Sequence, residues 1–424
     1  VTTTVPSKSA ISVLPSKKTP IIFSVLAVIV LVSFGLLGNS QTASFSLSSA
    51  GDAFSLPDLV FPGRASNIVI GVLLAALAAY SWMLRSKGRV LPVWSVAVGA
   101  VLFVLAFLIW VVSGANINSI SLASLLAGGV VLAVPLVFGS LSGVLSERSG
   151  VVNIAIEGQL LGGAFTAAIV ASVTQNAFAG LIAAGLAGAV VSLVLALFSI
   201  KYLVNQIIVG VVLNVLVSGI TGFLFTTVMQ EDPQLYNSPV HLPTIAIPGL
   251  SAIPVIGPIL FKQSVIGYLM YIAVFLVWFG LYKTRWGLRV RAVGEHPKAA
   301  DTLGIKVNRT RFWNVTLGGI VAGIGGSFFT LVAIDSFTKE ISGGRGFIAL
   351  AAVIFGRWNP IGAFAAALLF GFADNLQVML TIIGTPVPSQ FMAMMPYLVT
   401  IFAVAGLVGR SRGPAAVGDP YVKE

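Results

Sequence analysis

The sequence predicts an all-helical, polytopic integral membrane bundle of about twelve crossings, one of them short or re-entrant, with a short helix on its cytoplasmic side. Three observations carry this. Hydrophobic residues make up 57% of the 424 and charged residues 9%, a mean hydropathy of +1.01, which is more apolar surface than a soluble domain can hide. Apolar runs long enough to cross about 30 Å as helices recur along the chain. The basic residues, which set a net charge of +11, sit in the short gaps between those runs. That is the distribution of membrane topology rather than of nucleic-acid binding.

The elements follow in order. A cytoplasmic tail (1–20) carries Lys8, Lys17 and Lys18 ahead of an apolar run at 21–38. Small residues Thr42, Ala43 and Ser44 follow it as they follow a signal peptide, but the run is longer than a signal core and reads as an uncleaved anchor. Runs at 67–84 and 91–113 complete an N-terminal set of spans (21–118). A core (119–409) holds runs at 119–145, 151–173, 177–200, 207–229, 264–282, 313–334, 360–383 and 392–409, with a shorter one at 345–357, and a cytoplasmic tail (410–424) ends the chain. Counting the short run as a crossing places both termini on one side. Of the 24 basic residues, only Arg64, Lys262, Lys339 and Arg345 then fall outside, so the positive-inside bias supports that count. Trp82, Trp94, Trp110, Trp278, Trp286, Trp313 and Trp358 lie at or near span ends, where an amphipathic ring prefers to sit.

The outside segment 230–263 contains six prolines and reads as an irregular cap over a pore mouth. Stretches such as AGLIAAGLAGAVVS from Ala179 and GGIVAGIGGS from Gly318 are rich in small residues that allow close helix contact. The chain has no cysteine and only His241 and His296, which excludes disulfides, thiol catalysis and a histidine metal cluster.

The inside loop 283–312 is the most charged part of the chain and contains EHPKAADTLGI from Glu295. Glu295, His296, Pro297, Lys298, Ala299, Ala300, Asp301 and Gly304 read as one short helix, with Pro297 in its first turn and Gly304 just past its end. Such a knob is either idle structure or the part that a motor protein pushes on. WGLRVRAVGEHPKAADTLGIKV, from Trp286, resembles the coupling loop of the ABC importer permeases for branched-chain amino acids, ribose and nucleosides. GVVNIAIEGQLLGGA from Gly150, NQIIVGVVLNVLVSGITGFL from Asn205 and RGFIALAAVIFGRWNPIGAFAAALLFGFAD from Arg345 are similar to the second permease of nucleoside systems served by basic-membrane-protein-type lipoproteins. The resemblance runs from about Ser119 to the C-terminus. It implies a plasma-membrane importer subunit working by alternating access. Its implied partners are an ABC ATPase, a second related permease and an extracytoplasmic substrate-binding lipoprotein, with the helix around Glu295 as the coupling element. No G-x-x-x-x-G-K-[ST] loop occurs, so ATP belongs to the partner and the chain itself needs no cofactor.

Glu157 lies one to two turns into an apolar run, where a charge near the bilayer centre costs about 2.5–3.5 kcal/mol. A ligand contact, a structural hydrogen bond and an interfacial position near water all remain open readings. Asn153 and Glu157 share a helical face by spacing, with Gln159 beside them. Asn214, Asp374, Asn375 and Gln377 are the other intramembrane polar groups that could line a solute path, and Phe328, Phe329, Phe370 and Phe372 could stack on a base or simply pack. No nucleophile, metal set or positioned histidine accompanies the carboxylates, so an enzyme is not expected. The rival functions are an ABC permease for a pentose or an amino acid, and an ion-coupled secondary transporter using Glu157 or Asp374, although the hydropathy shows no inverted repeat.

Overall fold

A computed structural model describes residues 17–48, 51–89, 91–115, 117, 119–384, 394 and 413–423. Ten helices are long and apolar enough to cross a membrane: α1 (Lys18–Leu36), α2 (Gly63–Ser86), α3 (Trp94–Ser113), α4 (Leu122–Arg148), α5 (Ile156–Thr174), α6 (Ala177–Lys201), α7 (Gln206–Met229), α9 (Val265–Lys283), α12 (Val307–Ala333) and α14 (Pro360–Ile382). They match ten of the eleven expected long spans, and the run at 392–409 lies outside the described residues. Among the described residues there are four shorter α-helices, α8 (Pro233–Tyr236), α10 (Arg285–Glu295), α11 (Pro297–Thr302) and α13 (Arg345–Phe355), and a π-helical turn at Gly257–Phe261.

The first three spans form a unit with its own apolar core, in which Phe34 of α1, Leu74 of α2 and Ile109 of α3 meet Leu376 and Leu380 of α14. A small sheet caps this unit: β1 (Thr42–Ser46) pairs antiparallel with β2 (Leu59–Pro62) and parallel with β3 (Ser119–Ser121). Because β1 follows α1 while β2 and β3 lead into α2 and α4, the sheet marks the face opposite Arg148. Thr42, Ala43 and Ser44 are thus sheet residues.

Close backbone contact organises the main core. A Cβ built on Gly319 of α12 would lie 2.3 Å from the Gly188 carbonyl oxygen of α6, and one on Gly323 would lie 2.1 Å from that of Ala184. A Cβ on Gly326 would likewise collide with the Leu160 carbonyl oxygen of α5. Only hydrogen fits at these positions, so the expectation drawn from the two small-residue stretches holds. In lipid, where apolar side chains gain little by leaving one greasy solvent for another, this contact is what binds α5, α6 and α12.

The short apolar run does not form a crossing helix. α13 has eleven residues, roughly 16 Å at about 1.5 Å each, or half the hydrocarbon thickness. Its depth can be read against α4: Ala349 touches Gly139, Val353 touches Gly143, and the Trp358 indole donates to Glu147. Arg345 is therefore level with the middle of α4, not at the outer surface as its sequence position suggests. The other half of the traverse is irregular chain from 334 to 344. It is held at the far face by the cap, where Asn237 accepts from Phe337 N at 2.7 Å and donates to its carbonyl at 3.0 Å, and His241 pairs with Asp335 at 2.9 Å. Segment 334–358 thus joins opposite faces as a broken crossing.

Replacing Gly323 by leucine is expected to force α6 and α12 apart at a cost of at least about 1–3 kcal/mol. Size-exclusion profiles of detergent extracts should show loss of the monodisperse peak, whereas Gly219→Ala on α7, where nothing lies within 4 Å, should leave it intact.

Candidate functional site

Glu157 stands at the centre of the bundle and closes the break. Its Oε1 accepts from Ser342 Oγ at 2.6 Å and from Gly344 N at 2.8 Å, and its Oε2 accepts from Gly346 N at 2.6 Å. The donors are orphan groups at the start of α13, where the helix dipole also favours negative charge. Three hydrogen bonds to a charged acceptor, each worth about 1.5–3 kcal/mol, outweigh the insertion cost of one carboxylate. Of the three readings left open by the sequence, this geometry is the structural hydrogen bond. Gly344 supplies a left-handed turn (φ 79°), and a Cβ on Gly346 would lie 2.4 Å from Glu157 N, so both glycines are required for the approach.

The neighbouring amides are also engaged. Asn153 and Gln159 are fully buried and bond each other at 3.2 Å, with Ser142 at 3.0 Å and Ser192 at 2.8 Å as further partners. Asn153 lies in extended chain before α5, so it does not share a helical face with Glu157. Gly150 (φ 95°) breaks the helical path after α4, and residues 151–154 return alongside it to start α5 inside the bundle. Asn214 accepts from Gly158 N at 2.8 Å and donates to Ile154 O at 2.9 Å, fastening α7 to the start of α5. Asn375 donates to Leu125 O at 2.7 Å and ties α14 to α4. Phe328, Phe329 and Phe370 are buried packing groups.

Asp374 and Gln377 belong instead with a set of groups that are exposed or half-buried. Lys339 and Glu340 are exposed, Arg345 and Asp374 are half-buried within electrostatic reach of each other, and Phe347 is 51% exposed. Glu340 accepts from Ser218 Oγ at 3.0 Å, near the midpoint of α7, and Lys339 lies over the Phe225 ring. Charged groups at this depth face water or protein rather than lipid. Gln377 is half-buried one turn beyond Asp374.

On the Arg148 face the loop folds as two helices rather than one. Glu295 ends α10, His296 is the N-cap of α11, Pro297 takes its first position, and Gly304 (φ 80°) follows its end. The proline and glycine sit where the sequence places them, but Glu295 and His296 precede the helix because His296 is extended. Lys298, Ala299 and Gly304 are exposed, Asp301 is half-buried, Ala300 points inward, and Leu303 is 80% exposed at the tip. Arg148 joins this knob to the core. It donates to the Trp358 carbonyl at 2.7 Å and to the Tyr282 hydroxyl at 3.3 Å, and approaches Glu295 at 4.0 Å.

The family described as the branched-chain amino acid transport system permease component matches residues 125–404. The chain belongs to that permease family. The permease is 42% identical to the guanosine ABC transporter permease protein NupQ of Bacillus subtilis (strain 168), over 69% of this chain and 95% of NupQ. It is 38% identical to the nucleoside ABC transporter permease protein NupC of Lactococcus lactis subsp. cremoris (strain MG1363), over 72% of this chain and 98% of that one. It is 34% identical to a putative glucose ABC transporter permease protein, TsgC13, of Haloferax volcanii, over 71% and 98%. No solved structure matches the permease. The family match begins at Leu125, so α1–α3 and the whole of the small sheet precede it. The permease is a multi-pass membrane protein and a transport subunit rather than an enzyme.

The sequence singled out Asn153, Glu157, Gln159, Asn214, Asp374, Asn375 and Gln377 of the permease and did not single out Lys339, Glu340, Arg345, Ser218 or Phe347. The signal that could have found them is the Gly343–Gly344 pair ahead of an apolar run too short to span. Glu157→Gln places an amide N–H against a backbone donor of α13, so the purified permease is expected to lose about 1–3 kcal/mol of stability. A thermal-shift measurement in detergent should show a lowered midpoint, with membrane insertion retained.

Proposed function

We propose that the chain is the membrane-spanning permease subunit of an ATP-driven ABC importer for nucleosides, working by alternating access. One observation carries the cargo assignment: two relatives that align over nearly their whole lengths at 42% and 38% identity bear the names guanosine and nucleoside ABC transporter permease. An ABC ATPase and a second permease complete the transporter, and ATP binds to the ATPase. An extracytoplasmic binding lipoprotein delivers the solute to the proline-rich cap.

The orientation puts the Arg148 face in the cytoplasm. Arg285, Arg289, Arg291, Lys298, Lys306 and Arg309 crowd the loop that carries the knob, in keeping with the positive-inside bias. Closure of the ATPase moves the knob, with Leu303 seated in it, and the broken crossing opens the path alternately to either side. A solute passing the break meets Lys339, Glu340, Arg345 and Asp374 as hydrogen-bonding groups and Phe347 as an apolar surface. That mixture suits a sugar joined to a flat base. The glucose label of the Haloferax relative favours a second reading, an ABC permease for a free sugar.

The deciding experiment measures uptake of radiolabelled uridine, guanosine and glucose by cells expressing the chain with its partner subunits, with or without an ATPase-dead partner. Nucleoside uptake that disappears with the dead ATPase is expected. Uptake that survives it but collapses with an uncoupler would mean a secondary transporter, and glucose uptake alone would favour the second reading. Glu340→Gln is expected to raise the half-saturating nucleoside concentration by about tenfold, the equivalent of one lost hydrogen bond of ~1.4 kcal/mol.

A further inference from the structure

The last described residues of the chain return to the knob and bind it on several sides. Ala415 N donates to Glu295 Oε2 at 3.2 Å, and Ala416 N donates to Gly294 O at 2.9 Å, both at the end of α10. Gly418 N donates to Gly150 O at 3.2 Å, at the turn between α4 and α5. Arg311 of α12 donates to Asp419 O at 2.8 Å. Tyr421, 8% exposed, closes a small apolar cluster with Val293 of α10, Ala300 of α11 and Val307 of α12. At the other end of the segment, Gly413 lies against the Trp358 indole, just past the inner end of α13.

Two features argue against an idle tail. Arg311 is only 2% exposed, its Nε and Nη2 have no partner among the described residues, and its Nη1 donates to the Asp419 carbonyl. A buried guanidinium is retained at a cost unless it holds something in register. The segment also touches both ends of one mechanical path: Glu295, which ends α10 at the knob, and Trp358, whose carbonyl and indole are held by Arg148 and Glu147 of α4. Trp358 and Arg357 both have positive φ, so the turn after α13 is fixed by these contacts rather than by its own preference.

We propose that residues 413–423 are a strap, locked by Tyr421 and Arg311, that makes the ATPase-facing knob and the inner end of the broken crossing move as one body. Without it, the knob keeps its packing on α12 and the approach of Arg148 to Glu295 but loses the Tyr421 ring and the hydrogen bonds from Ala415 and Ala416, and more of a push on Leu303 is taken up by the loop. The strap rests on the ABC reading and adds to it a positioning role for Tyr421 that touches neither solute nor ATP.

The test uses the complete transporter, reconstituted in liposomes with its partner subunits, and reads nucleoside uptake and ATP hydrolysis together. Tyr421→Ala and a chain ending at Gly413 are expected to retain the ATPase on copurification and basal hydrolysis within about twofold, while uptake per ATP falls at least tenfold. Tyr421→Phe keeps the ring and should retain most of the uptake. Because the chain has no cysteine, Glu295→Cys with Ala415→Cys can be bridged by a short bifunctional thiol reagent, and uptake should survive bridging if the two move together. Unchanged coupling in both Tyr421→Ala and the truncation, loss of the ATPase from the complex, or uptake abolished by bridging would each overturn the strap. A wild-type transporter without ATP-dependent nucleoside uptake would instead overturn the ABC nucleoside reading, which keeps the two failures apart.

Discussion

Irregular backbone at membrane depth has no water to satisfy it, and the stretch from 334 to 344 places such backbone across half a bilayer. Everything distinctive in the core follows from how that is tolerated. The carboxylate of Glu157 gathers Ser342, Gly344 and Gly346 at the start of α13 and so supplies what a preceding helical turn would have supplied. For Glu157 to be there, α5 must begin inside the bundle, and Gly150 and the extended residues after it make that possible. For α5 to stay there, Asn214 must hold its first turn and the amides of Asn153 and Gln159 must close on Ser142 and Ser192. These polar groups form a frame for one broken helix.

The frame also explains why the buried polar residues are poor candidates for solute contact. Each already has partners at ordinary hydrogen-bond distance, and a solute would have to break those bonds and repay them. The groups left facing open space are those of the irregular segment itself and of the first turn of α13. A broken helix thus does two things at once. It exposes unusual chemistry at the middle of the membrane, and it creates a joint at which half a crossing can tilt without dragging a whole helix through lipid.

The fold was legible in the sequence because hydrophobicity is a nearly sufficient signal in a bilayer. Spans such as α6 and α14 are bounded within a few residues, and the glycines of α6 and α12 announced a close contact that exists. The bounds of the knob were legible from Pro297 and Gly304, whose backbone preferences are local. The site was legible only as a list of polar residues in apolar runs. Whether Asn375 faces a path or Leu125 depends on which helix lies next to it, and nothing local to Asn375 records that. Arg345 was misplaced for a related reason: span counting assigns a charge to the nearest surface, and a helix that starts at mid-depth violates the assumption.

The knob and the break have a short connection in the structure, and on the proposed reading energy enters at the first and is used at the second. Glu295 and Trp358 both meet Arg148, so the end of α10 and the turn after α13 share one guanidinium. Beyond the turn at Trp358, the path from Phe355 to Arg345 is a single helix, packed along α4 through Ala349 and Val353. At its far end Glu157 accepts the three hydrogen bonds that close the break. A displacement on the Arg148 face is therefore delivered along the axis of α13 to the three hydrogen bonds that close the break. The helical half of this crossing lies toward the knob and the irregular half toward the cap, and eleven residues of helix are stiffer along their axis than eleven residues of loop.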